Sequence, residues 1–137
     1  MAPRILLVLT PERKARLLEL LDGKGFQVVC AAGLRDAREK LAGSMCYDLL
    51  FVDAELDDGR WQSLLECARS FGTVSAAVVC ARLGDHQLWA EVLQSGAYDL
   101  IIEPYNEKEI ARIVEGALES ASLRREQRAS TSSRTKL

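Results

Sequence analysis

Tyr47-Asp48-Leu49-Leu50-Phe51-Val52-Asp53 is a nearly unbroken apolar run that ends on a carboxylate. A strand with one solvent-facing side alternates apolar and polar residues, whereas one covered on both sides reads as continuous Val, Leu, Ile and Phe. The run therefore predicts a central strand of a parallel sheet. In such sheets ligands and chemistry collect beyond the C-terminal strand ends, which places Asp53 where a site would be.

Working outward, similar runs occur at 5–9, 26–31, 76–80 and 99–102. Stretches with helical spacing lie between them. The first, 11–21, is introduced by Thr10 as N-cap and Pro11 at N1, with Ala15, Leu18 and Leu21 as its stripe. Leu34, Ala37 and Leu41 stripe the second helix, and Leu64, Leu65 and Ala68 the third. The fourth begins at Asp85 and carries Leu88, Trp89, Val92 and Leu93; the fifth begins at Asn106 and carries Ile110, Ile113, Val114, Ala117 and Leu118. Five strands alternating with five helices predict a doubly wound α/β domain with right-handed crossovers. After Ala121 the stripe fades, so the reading divides the chain into a domain, 1–121, and a basic, Ser-rich flexible tail or linker, 122–137.

The 137 residues suffice for one domain with a sizeable core. The formal charge of −2 argues against bulk attraction to nucleic acid. It is unevenly spread: Arg124, Arg125, Arg128, Arg134 and Lys136 face only Glu126 in the last 17 residues, so the body is more acidic than the total. Cys30, Cys46, Cys67 and Cys80 have no metal-binding spacing and His86 is the single histidine, which predicts reduced, mostly buried thiols in a cytoplasmic protein. The apolar stretch near the N-terminus is too short for a signal core or a membrane span.

With these elements in order, the chain resembles the receiver domain of bacterial response regulators, from Ile5 to about Ser120. The resemblance is carried by Ile5-Leu6-Leu7-Val8, the run ending in Asp53, Asp57-Asp58-Gly59, Gly96-Ala97-Tyr98-Asp99 and Pro104-Tyr105. It implies a flavodoxin-like sheet of order 2-1-3-4-5 and a signalling module rather than an enzyme. It also implies that Asp53 stands at the position that accepts a phosphoryl group from a histidine kinase. The family's two Mg²⁺-holding acids after the first strand align with Leu9 and Thr10. Its phosphoryl-binding Ser or Thr aligns with Cys80, and its lysine, before Pro104, with Glu103. The aromatic switch residue falls at Leu100, while a proline and a glycine after the acceptor become Asp57 and Trp61.

Each departure weakens phosphoryl chemistry. Mg²⁺ is held by carboxylates, phosphate and water, and Leu9 offers no oxygen ligand. A carboxylate in place of an ammonium about 4 Å from a phosphoryl oxygen turns roughly −4 kcal/mol into +4 at an effective dielectric near 20. The expectation is a degenerate receiver that binds no metal or cofactor and signals through protein contact. Partners would be a histidine kinase, an output domain or another signalling protein. A homodimer is expected through Leu88, Trp89, Val92, Leu93 and Arg112, and nucleic acid would enter only through a fused output domain.

The alternatives are an active regulator phosphorylated on Asp53 and a flavodoxin-like binder of a nucleotide or FMN, the latter disfavoured by a glycine-free turn after the first strand. Individual side chains carry further expectations. Asp53 is satisfied by amides or water, Glu12 supports its helix through the dipole, and Glu103 pairs with Arg82. Asp57 and Asp58 form a solvated turn, His86 is exposed, and Trp61 either packs the third helix or lids the pocket.

Overall fold

The computed structural model describes residues 2–135, with side chains through Leu123. The elements run β1 (Arg4–Val8), α1 (Pro11–Leu21), β2 (Gln27–Cys30), α2 (Leu34–Leu41), β3 (Tyr47–Asp53), α3 (Trp61–Phe71), β4 (Val74–Ala81), α4 (His86–Ser95), β5 (Asp99–Ile102) and α5 (Glu107–Thr135). All strand pairs are parallel, in the order β2-β1-β3-β4-β5. The flavodoxin-like topology is the expected one.

The continuous apolar runs divide residue by residue between the two faces. Ile5, Leu7, Leu49, Phe51, Val78 and Ile101 pack on one side with Leu17 of α1 and Ile110, Ile113 and Ala117 of α5. Leu6, Val8, Leu50, Val52, Val79 and Leu100 pack on the other with Leu34, Leu64 and Val92. Burying one such Leu, Val or Phe side chain is worth about 1.5–3 kcal/mol, so both faces need covering and helices lie on each. Edge strand β2 is only partly buried.

Several local expectations are corrected. On α1 the buried residues are Arg13, Leu17, Leu20 and Leu21, whereas Ala15 and Leu18 face outward. The inward stripe begins with an arginine, which a reading of apolar spacing discards. Thr10 holds the N-cap position, but its side chain caps nothing; Asp85 does cap α4, accepting from the Leu88 amide at 2.7 Å. Asn106 accepts from the Lys108 amide at the start of α5. That helix runs on past Ala121, where its apolar stripe fades, to Thr135. The side chains expected to form a basic tail, Arg124 onward, lie outside the described residues. Only Cys80 of the four cysteines is fully buried; Cys46 is exposed and Cys30 and Cys67 are intermediate.

Asp58 is more than a turn residue. Its Oδ2 accepts from the Leu34 amide at 2.9 Å and so caps α2, whose own N-cap residue is Gly33. Gly59 follows with φ +149°, and a Cβ there would lie 2.8 Å from Leu34 Cδ1. A larger residue at that position would both strain the backbone and displace the helix start.

Candidate functional site

At the C-terminal end of β3, Asp53 is fully buried and lies beside Cys80 of β4 in the ladder. Its Oδ2 accepts from the Thr10 amide at 3.2 Å, and its Oδ1 from the Glu55 amide at 2.9 Å. The same Oδ1 also accepts from Nη1 of Arg13 at 2.5 Å. The two amides agree with the sequence reading of a carboxylate satisfied by neighbouring backbone. The arginine does not appear in that reading.

Arg13 sits one turn into α1, buried on the face that meets the sheet. Its guanidinium divides its donors among three elements. Nη1 goes to Asp53 of β3, Nη2 to Glu55 Oε1 in the following loop at 3.3 Å, and Nε to Glu103 Oε1 after β5 at 2.9 Å. A planar guanidinium with five fixed donors suits this role, which a lysine ammonium could not copy. Burial disfavours the Arg13 charge, but the hydrogen bonds it donates to Asp53 and Glu103 outweigh this and raise its pKa above the ordinary value. Glu55 and Glu103 keep 49 % and 38 % of their side chains in solvent, which accommodates the excess negative charge.

Glu103 therefore pairs with Arg13, not with Arg82. The backbone amide of Arg82 instead donates to Glu55 Oε1 at 3.0 Å, tying the loop after β4 to the same cluster. Glu103 also precedes Pro104 in a cis peptide. Tyr105 folds back into the core, and its hydroxyl is buried close to the Cys80 thiol without a hydrogen bond of good geometry. Burial pushes the pKa of both the Cys80 thiol and the Tyr105 phenol upward.

The positions that would complete a Mg²⁺ site do not do so. Leu9 is part of the apolar core and Thr10 contributes only its amide. Glu12 is exposed in the first turn of α1. Among the described residues no group of three or more His, Cys, Asp or Glu could hold a metal ion. With Leu9 apolar and a guanidinium already paired with Asp53 Oδ1, the site offers a divalent cation too few oxygen ligands, so these residues do not fit Mg²⁺. Trp61 is buried against the α2–α3 side of the sheet and packs its helix rather than lidding the pocket.

The second candidate region is α4. Val92 is buried and Leu88 partly so, but Trp89 is 41 % exposed and Leu93 76 %. Leu83, in the preceding loop, is 80 % exposed, and Arg112 of α5 is exposed as well. Four of the five residues expected to form an interface thus lie on α4, two of them exposed. Among the described residues no helix is long and apolar enough to cross a membrane.

The fold has known counterparts. No family model matches the chain. It is 27 % identical over 124 residues to the regulatory protein AtoC of Escherichia coli K12, a match spanning 90 % of this chain and 27 % of that protein. A CheY-like receiver domain protein from Methanospirillum hungatei superposes with a TM-score of 0.78 at 20 % identity, covering 90 % of this chain and 99 % of that one. The receiver domain of an HD domain-containing protein from Pseudomonas fluorescens gives 0.79 at 24 %, covering 89 % and 98 %. NtrX of Brucella abortus gives 0.81 at 23 %, covering 92 % of this chain and 29 % of that one.

Proposed function

We propose that this chain, which has the receiver-domain fold of response regulators, transmits signals by protein–protein contact without Mg²⁺-dependent phosphorylation of Asp53. The observation that carries the reading is the Arg13–Asp53 pair: the acceptor carboxylate is fully buried and a guanidinium occupies its Oδ1. Glu103, where a lysine would neutralise phosphoryl oxygens, is an acid paired with Arg13. The partner is a histidine kinase, an output domain or another signalling protein, met in the cytoplasm. The match to one quarter of a longer regulatory protein supports an output domain, with 122–137 as the connection. Nucleic acid would be reached only through that domain.

The uncovered Trp89, Leu93 and Leu83 support a second element of the reading, a phosphorylation-independent homodimer through α4 and α5. An aromatic centre with a charged rim, here including Arg112, suits a twofold contact. The test of the main reading is incubation with acetyl phosphate and Mg²⁺ followed by intact-mass measurement. The mass should stay that of the unmodified chain; a phosphoryl adduct mapped to Asp53 would restore the active regulator.

A further inference from the structure

We infer that Arg13 is a built-in counter-cation, seated where an exchangeable divalent ion would otherwise neutralise Asp53, and that it makes the pocket indifferent to added metal. The inference rests on the phosphorylation-independent reading and supplies its cause. Three observations converge on it. Asp53, a fully buried carboxylate, would be uncompensated without a cation. The guanidinium supplies one through a direct contact, and it also gathers Glu55 and Glu103 from two other segments. Among the described residues Arg13 is the cation paired with Asp53, since Leu9 is apolar and Glu103 acidic.

The replacement differs from a metal in reach as well as origin. A bound ion contacts only what coordinates it, whereas Arg13 is carried by α1 and bonds β3, the loop after β3 and the residue following β5. Through Glu55, which also accepts from the Arg82 amide, it holds the loop that leads to Leu83.

The test is Arg13→Ala in the full chain, titrated with Mn²⁺ alone and followed by thermal unfolding and by paramagnetic broadening of amide signals. Wild type should show neither broadening at Thr10 and Glu55 nor a shifted unfolding temperature. Arg13→Ala should show both, with an apparent Mn²⁺ affinity about tenfold or more above wild type. Asp53→Asn in the Arg13→Ala background should abolish the gain, and Arg13→Lys, which loses the three-way bonding but keeps a cation on α1, should show no more Mn²⁺ broadening than wild type. An Arg13→Ala chain that Mn²⁺ neither broadens nor stabilises, including one that stays unfolded with Mn²⁺ present, overturns the inference. Tight Mn²⁺ binding by wild type overturns it too. The phosphorylation-independent reading fails separately, on a phosphoryl adduct in wild type, and survives a flat Arg13→Ala result if that adduct is absent.

Discussion

The C-terminal strand ends and the α4 surface lie close together in the fold but are finished in opposite ways. Both carboxylate oxygens of Asp53 have found donors and the central charge pair is sealed from solvent. Along α4 only Val92 is buried, while Trp89, Leu93 and the nearby Leu83 remain open. Satisfied polar groups resist change, whereas uncovered apolar side chains gain by being covered. The contrast teaches that one region of the fold has its charged groups satisfied from within, while the other keeps an apolar surface uncovered.

Breaking the sealed side should give the largest effect. Arg13→Ala leaves the Asp53 charge buried without its partner, and loss of one member of a buried ion pair costs about 3–5 kcal/mol. Urea unfolding should show a matching drop in midpoint, and Asp53→Asn in the same chain should recover part of it. A drop under about 1 kcal/mol would mean the pair is effectively solvated, as exposed pairs are.

The same side should also be sensitive to alkali. Cys80 and Tyr105 have folded-state pKa values raised by burial, against ordinary values of 9.0 and 10.0. Above pH 9 the unfolded chain loses the Cys80 proton while the folded chain keeps it. The folded state then binds more protons, so stability falls as pH rises, by about 1.4 kcal/mol per pH unit for each such group and by about 2 kcal/mol for Cys80 at pH 10.5. Below pH 9 this contribution is constant. Cys80→Ala should flatten the decline above pH 9, and Tyr105→Phe should flatten it above pH 10. An identical alkaline slope in both variants would remove these groups from the account.

On the open side the expected effects concern association more than folding. Trp89→Ala should weaken a dimer by about 1–3 kcal/mol if the ring is an interface anchor, with a smaller change in urea midpoint because it belongs to neither core cluster. Sedimentation that finds only monomer at high concentration would remove self-association and leave α4 to another partner.

The smallest contrast compares the two helix starts. Asp85→Ala removes an observed cap and should cost about 1 kcal/mol, whereas Thr10→Ala removes a side chain that caps nothing and should cost no more than a few tenths. Equal costs in urea would show that Thr10 caps α1 in solution.

What was legible follows the range of the forces involved. The strands could be read because a strand covered on both faces is apolar along nearly its whole length, as 49–52 is. The α4 and α5 starts could be read because Asp85 and Asn106 act within three residues of themselves. The position of Asp53 followed from the strand that carries it. Arg13 was missed because its partners lie 40, 42 and 90 residues away and its helical face was sought among apolar residues. Glu103 was assigned to Arg82 for the same reason, since both follow neighbouring strands. The one available clue was electrostatic: a buried Asp53 and a Glu103 without the usual cations require another, and α1 is rich in basic residues. Asp58 shows the same limit, acting as the cap of a helix that begins 24 residues earlier.

The seating of Arg13 on Asp53 also bears on time. An aspartyl phosphate is a mark with a lifetime: once formed it persists until hydrolysis removes it, and that interval can set how long a response lasts. A guanidinium carried by its own helix cannot be hydrolysed away or diffuse into solution, so its presence records nothing about past events. On the proposed phosphorylation-independent reading the clock lies elsewhere. The duration of any response would be the residence time of the partner on the exposed surface, a quantity that ranges from milliseconds to days among protein complexes.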